Sequence, residues 1–248
     1  MDLEQHRHEH TREAIRRRLQ AGYTHSYLRD FIYGAIDGAV TTFAIVCGVA
    51  GADLSAGIIV ILGTVNLLAD GFSMAVSNFL GTRAEQQLRA RVRKTEERHI
   101  IMYPDGEREE VRQIFARKGF AGDELEHVVQ VITSDRQRWI DTMMTEELGL
   151  PLAGGSAAKA GVVTFIAFVL VGFLPILSFT VDLALPGAIP YPLLWSTLLT
   201  GVAFFIVGAT KSRFVAERWH LAGVETFAIG SVAAGIAYLV GVLLGGLV

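Results

Sequence analysis

An aspartate and a methionine lie one helical turn apart inside a segment apolar enough to cross a bilayer. This segment reads GIIVILGTVNLLADGFSMAVSNFL from Gly57 and contains Asp70 and Met74. Its length fits the roughly 20 apolar residues of a membrane-spanning helix. At about 100° per residue, the polar side chains of the segment project to one side. These side chains are Asn66, Asp70, Ser73, Met74, Ser77 and Asn78.

The pairing of a carboxylate with a thioether favours one class of cation. Thioether sulfur is a soft donor and carboxylate oxygen a hard one, so the pair suits ferrous iron better than magnesium or calcium. The preceding apolar segment contains Asp37, and Asp30 lies seven residues earlier on the same face. Acids inside a membrane are costly and mark ion pathways. The alternatives are structural hydrogen bonds for the aspartates and ordinary packing for Met74.

The charged region that follows contains a second set of metal-ligand side chains at helical spacing. This set consists of Glu96, His99, Glu107, Glu110, Met143, Met144 and Glu147. Residues three or four apart share one face of a helix, the arrangement by which helical bundles hold transition metals. The alternative is a solvated acidic face. We interpret the two sets together as a path that gathers a cation outside the membrane and passes it to Asp70 and Met74.

Composition excludes an ordinary soluble protein. The 248 residues are 51% hydrophobic, with a mean hydropathy of +0.40, and the charges crowd into residues 1–30, 83–147 and 211–225. The single cysteine, Cys47, excludes an intrachain disulfide and a cysteine-based zinc cluster. No short apolar core follows the N-terminal charges, so the sequence predicts no cleaved signal peptide.

Hydropathy predicts five membrane-spanning helices, at residues 31–52, 56–80, 157–181, 191–210 and 224–248. All 22 Lys and Arg residues lie on one side of these spans, and the connections GADLS and VDLALPGAIPYP on the other side have none. The positive-inside rule therefore predicts a cytoplasmic N-terminus and a C-terminus on the opposite side. Pro175 is expected to kink the third span.

The predicted fold is an all-α, polytopic membrane protein with a three-helix cytoplasmic insert between spans two and three. Its parts are a basic N-terminal segment (1–29), spans one and two (30–82), the metal-binding insert (83–155) and spans three to five (156–248). Glycines divide the insert. Its first helix continues span two to about Ile101, the second covers residues 107–118, and the third begins with Asp123 as its N-cap.

Several strings resemble the vacuolar iron transporter family in order and position. They are DGAVTTFA, LADGFSMA, AAKAGVVTFIAFVLVGFLPIL and GVETFAIGSVAAGIAYLVG, and the resemblance runs from about residue 29 over nearly the whole chain. It implies a five-span homodimer with a path between the two copies of span one, and export of ferrous iron from the cytoplasm against protons.

The resemblance also assigns residues. It matches Asp37 and Met74 to the path, and it matches six residues to the ligands of the insert: Glu96, Glu107, Glu110, Met143, Met144 and Glu147. Two positions depart from the family pattern. His99 stands where a glutamate is common, and Asn66 is neutral where an acid can occur. A histidine ligand makes metal loading more sensitive to pH near neutrality.

The sequence thus predicts a transporter rather than an enzyme, with ferrous iron as first substrate and manganese as second, exchanged for protons. Zinc is a further candidate for the bound ion, and no prosthetic group or nucleic acid is expected. The partners are a second copy of the chain, contacting through the spanning helices and the insert, and membrane lipid. A bacterial inner membrane is favoured over a vacuolar one. The alternatives are an intramembrane aspartyl protease, a di-iron enzyme, and a metal sensor without transport.

Overall fold

The computed structural model describes residues 10–21, 25–213 and 217–247. Within these residues there are ten α-helices, one π-helical turn and no strand, which confirms the predicted all-α class. The helices are α1 (Arg12–Ala21), α2 (Leu28–Gly51), α3 (Ala56–Met102), α4 (Pro104–Arg117), α5 (Gly122–Thr133), α6 (Arg136–Thr142), α7 (Ala157–Gly172), α8 (Leu174–Ala184), α9 (Pro192–Lys211) and α10 (Trp219–Gly245), and the π-helical turn is Met143–Glu147.

Among the described residues, four helices are long and apolar enough to cross a membrane: α2, α3, α9 and α10. The pair α7 and α8 makes a fifth candidate, bent by 54° at its break. The break lies at Phe173, and Pro175 sits in the first turn of α8. Proline has no N–H for the preceding turn and starts a helix well, so the predicted kink of this span is confirmed.

The chain divides into two compact units, which are described separately. One comprises residues 27–83 and 156–248, and the other comprises residues 1–26 and 84–155. In the first unit, α2 is the central helix and packs against α7, α8, α9 and α10. Its core contains large apolar side chains such as Phe43, Phe168, Ile176 and Phe204.

Glycines let α2 and α7 approach very closely. A Cβ atom added at Gly34 would lie 2.3 Å from the carbonyl oxygen of Thr164, and one at Gly38 would lie 2.4 Å from that of Phe168. No side chain fits in such a gap. The small residues of α2 therefore bring the two backbones into contact, as is common between helices in membranes.

The apolar part of α3, residues 56–80, keeps much of its surface exposed. Ile61 and Phe72 are 64% and 65% exposed. Apolar side chains at this density on one helix are suited to lipid or to another protein chain rather than to water.

In the second unit, the later part of α3 packs with α4, α5, α6 and the π-helical turn around an apolar core. This core includes Val111, Trp139, Ile140 and Met143. Two helix boundaries differ from the sequence prediction. Helix α4 begins at Pro104, so Gly106 lies inside it and the break falls at Tyr103. Proline is favourable at the first position of a helix, and here its preference for starting a helix exceeds the tendency of Gly106 to break one.

The single third helix that the sequence predicts is interrupted. Helix α5 begins at Gly122, not with Asp123 as its cap, and ends at Thr133. Asp135 then caps α6, because its carboxylate accepts a hydrogen bond from the backbone N–H of Arg138 at 2.7 Å. A competing N-cap of this kind ends one helix and starts the next.

Candidate metal sites

Three potential ligands from two helices converge in the unit that contains the insert. Glu96 and His99 project from α3 and Glu107 from α4, and one ligand atom from each lies within 4.8 Å of the other two. Nδ1 of His99 is 3.4 Å from Oε1 of Glu107. The break at Tyr103 produces this geometry, since α4 starts there and returns Glu107 to the face that presents Glu96 and His99.

Both carboxylates of this triad are buried, and one has an oxygen without a hydrogen bond. Glu96 and Glu107 are each 5% exposed. Oε2 of Glu107 is buried and has no hydrogen-bond partner. A buried carboxylate oxygen of this kind is costly unless a donor or a cation satisfies it. The triad therefore has the chemistry of a cation site.

The electrostatics of the cluster lead to the same conclusion. Burial, followed by repulsion from Glu110 and Glu96, raises the pKa of Glu107 to about 7. Burial also raises the pKa values of Glu96 and Glu147, and repulsion from Glu110 adds to both. Carboxylates that repel one another bind protons more readily than isolated ones, and a divalent cation that replaces those protons removes the repulsion.

The other predicted insert ligands occupy two different environments. Glu110 and Glu147 are exposed, and they are near enough to raise the pKa of Glu107. Met143 and Met144 are 0% and 2% exposed and belong to the apolar core of the unit. The structure thus brings five of the seven residues into one charged cluster, while a ligand role for the two methionines stays a prediction.

An open cavity reaches Glu96 of the triad. It has a volume of about 360 Å³ and is lined by Glu96 together with residues that include Leu88, Arg91, Thr95 and Leu150. Such a cavity gives a small hydrated ion a route to one of the buried carboxylates.

Within the spanning helices, the predicted acids lie on two neighbouring helices. Asp37 on α2 and Asp70 on α3 are both half-buried. A carboxylate inside a membrane needs a proton, a cation or a hydrogen-bond donor as its partner. The half-buried Met74 packs against the apolar core, and its role as a metal ligand stays a prediction.

The two asparagines of α3 make hydrogen bonds to other helices. The Asn66 amide nitrogen donates to the hydroxyls of Thr41 at 3.0 Å and Thr42 at 3.3 Å. The Asn78 amide nitrogen donates to Oδ1 of Asp30 at 2.9 Å. Sequence reasoning placed both asparagines on the polar side of the helix but assigned them no partners.

The order of these features along the chain is that of a known family, since residues 28–242 match the VIT family. The chain belongs to the VIT family. The family match includes both candidate metal sites, and it confirms the resemblance found in the sequence. Together with the apolar helices, it makes this VIT family protein an integral membrane protein.

Several curated proteins align with this VIT family chain over most of its length. "Vacuolar iron transporter 1" of Arabidopsis thaliana is 32% identical over 212 residues, which cover 85% of this chain and 83% of the relative. "Vacuolar iron transporter" of Plasmodium berghei is 30% identical over 224 residues, covering 88% and 82%. The protein of the same name from Toxoplasma gondii is 31% identical, covering 88% and 74%. These names agree with the prediction of a transporter rather than an enzyme.

Proposed function

We propose that this VIT family protein exports ferrous iron from the cytoplasm in exchange for protons, with manganese as a second substrate. The observation that carries the proposal is the triad of the buried Glu96 and Glu107 with the exposed His99, whose ligand atoms lie within 4.8 Å of one another. Two carboxylates and an imidazole suit a borderline divalent metal such as ferrous iron. The relatives named vacuolar iron transporters support the same substrate.

In this proposal the two candidate sites act in sequence. The insert, with Glu110 and Glu147 near the triad and the two core methionines as proposed further ligands, collects or senses the ion. Asp30 receives it at the start of α2, and Asp37, Asp70 and Met74 bind it within the membrane. The presence of two half-buried carboxylates, Asp37 and Asp70, on the spanning helices supports proton exchange, because a departing cation leaves carboxylates that can take up protons.

The distribution of charge supports a cytoplasmic insert. All 22 Lys and Arg residues lie in segments that the proposed topology places on one side, and the positive-inside rule favours the cytoplasm for that side, which contains the N-terminus and residues 83–155. We propose a homodimer, supported by the exposed apolar surface of α3. A bacterial inner membrane remains the proposed location.

Flux measurements on reconstituted protein test the proposal. Purified protein in liposomes, under an imposed pH gradient, is expected to move ferrous iron to a chelating dye trapped on the far side. Asp37→Ala is expected to abolish this flux because it removes an intramembrane ligand. A matched control is Asp182→Asn, since the one hydrogen bond to its carboxylate within the described residues comes from the backbone N–H of Gly187 at 3.2 Å. Wild-type flux at background, or equal flux in Asp37→Ala, contradicts the proposal.

A further inference from the structure

A small polar network joins three helices at the beginning of α2. The amide nitrogen of Asn78 on α3 lies 2.9 Å from Oδ1 of Asp30 on α2 and 2.7 Å from Oγ1 of Thr164 on α7. The carbonyl oxygen of Ala160 is farther from the same nitrogen, at 3.4 Å. A carboxamide has two N–H hydrogens, and the two nearer acceptors use both.

The network fixes which way the Asn78 carboxamide points. The fully buried Thr164 donates its single hydroxyl hydrogen to the carbonyl of Ala160 at 2.9 Å, and the carbonyl of Asp30 is farther away at 3.4 Å, so towards Asn78 it acts as an acceptor. A reversed carboxamide would place its oxygen against the carboxylate of Asp30 and the lone pairs of Thr164. Both contacts would then be repulsive, and only the orientation with nitrogen towards these oxygens is satisfied.

The side chain of Asp30 is thereby held in one orientation. It lies in the first turn of α2, where the positive end of the helix dipole favours a carboxylate. The hydrogen bond from Asn78 uses Oδ1, which sets the plane of the half-buried carboxylate, and no donor among the described residues bonds to Oδ2, whose lone pairs can face a cation. A ligand held in this way binds its ion without first having to be ordered.

We propose that Asn78 is a positioning residue that holds Asp30 as a preorganised cation ligand at the beginning of the transport path. Asn78 acts through Asp30 and is itself oriented by Thr164. This inference rests on the proposed transport function and adds two residues to it. Because the network sets the geometry of capture and not of the later steps, its loss is expected to change the KM for the ion more than the maximal rate.

Initial rates of ferrous iron flux into liposomes test the inference on the full chain. Asn78→Leu is expected to raise the KM about tenfold with a maximal rate within about twofold of wild type, as for the loss of one hydrogen bond to a charged group. An unchanged KM contradicts the inference, and so does a fall of about tenfold in the maximal rate without a change in KM. Elution as a single species in size-exclusion chromatography establishes that the variant is folded.

A pair of buried threonines separates positioning from general destabilisation. Thr164 and Thr226 both donate to the carbonyl four residues earlier, to Ala160 at 2.9 Å and to Ala222 at 3.0 Å. In the described residues, only Thr164 accepts a hydrogen bond from Asn78. Thr164→Val is therefore expected to raise the KM, whereas Thr226→Val leaves it unchanged despite a similar loss of stability. Equal KM values in the two variants overturn the inference.

A double variant tests whether Asn78 acts through Asp30. The KM of Asp30→Asn combined with Asn78→Leu is expected to equal that of Asp30→Asn alone, and a further rise contradicts the inference. If Asp30→Asn is inactive, the comparison of Thr164→Val with Thr226→Val decides whether the inference stands.

Absence of flux in the wild type refutes the proposed function and this inference together. Wild-type flux with an unchanged KM in Asn78→Leu refutes the inference alone and leaves the proposed function intact.

Discussion

Glu107 combines three properties that are typical of a metal-binding carboxylate. It is buried, one of its oxygens has no hydrogen-bond partner, and its pKa is raised to about 7. Between its ordinary pKa of about 4.5 and 7, the folded protein binds a proton that the unfolded chain does not. The stability of the metal-free protein therefore falls as the pH rises through this window, and metal binding offsets the loss because it requires the ionised form.

Metal affinity is accordingly expected to rise as the pH increases through 7. Glu107→Gln is expected to weaken manganese binding to the full-length protein at pH 8 by at least about tenfold, because it removes a charged ligand. It is also expected to flatten the dependence on pH. Isothermal titration calorimetry at pH 6 and pH 8 measures both effects. The exposed Glu124 provides the control variant Glu124→Gln. Equal affinity in Glu107→Gln and wild type excludes Glu107 as a ligand.

The candidate sites could be predicted from the sequence only where their residues are close along the chain. Spacing of three residues correctly placed Glu96 and His99 on one face of α3. The intramembrane aspartates could be recognised because a carboxylate in an apolar spanning segment is energetically unfavourable. Thr164 could not have been found, because it contacts Asn78 across 86 positions of sequence and looks like any helical threonine. The burial of Met143 in the apolar core could not be predicted either, because a methionine side chain can pack in a core as well as bind a metal.

At the scale of the elements, the close contact of α2 with α7 positions Asp30 and Asp37. Helix α2 carries both residues, and its separation from α7 is set by Gly34 and Gly38. The sequence predicted the helices themselves well, because apolar length and proline position are local properties. It missed the start of α4, where Pro104 begins the helix although Gly106 suggests a break. It also missed the break before α6, where Asp135 caps a new helix.

Gly38→Ala is expected to destabilise the protein, because the new methyl group would lie 2.4 Å from the backbone oxygen of Phe168. Overpacking of this kind costs about 1–3 kcal/mol. Gly235→Ala on α10 is the matched control, since an added Cβ there meets nothing within 4 Å. In a helix that change is neutral or stabilising. Thermal unfolding in detergent is expected to show a lower midpoint for Gly38→Ala only, and equal midpoints would contradict the close α2–α7 contact.

At the scale of the whole molecule, the distribution of basic residues makes the topology testable. The only native cysteine is Cys47, so a Cys47→Ser background allows single cysteines to be placed at will. A membrane-impermeant maleimide is expected to label Ser55→Cys and Ala188→Cys in intact cells. Labelling of Glu124→Cys is expected only after the membrane is permeabilised. Labelling of Glu124→Cys in intact cells would reverse the proposed orientation.

The burial of Trp139 has a practical consequence. Of the three tryptophans, Trp139 alone belongs to the unit with the metal triad, where it is 4% exposed, whereas Trp195 and Trp219 are 46% and 59% exposed on spanning helices. A collisional quencher that dissolves in lipid or detergent is therefore expected to reach the other two indoles and to spare this one. The native protein thus carries an internal fluorophore whose residual emission belongs to the insert, so that ion loading there can be followed optically without any attached dye.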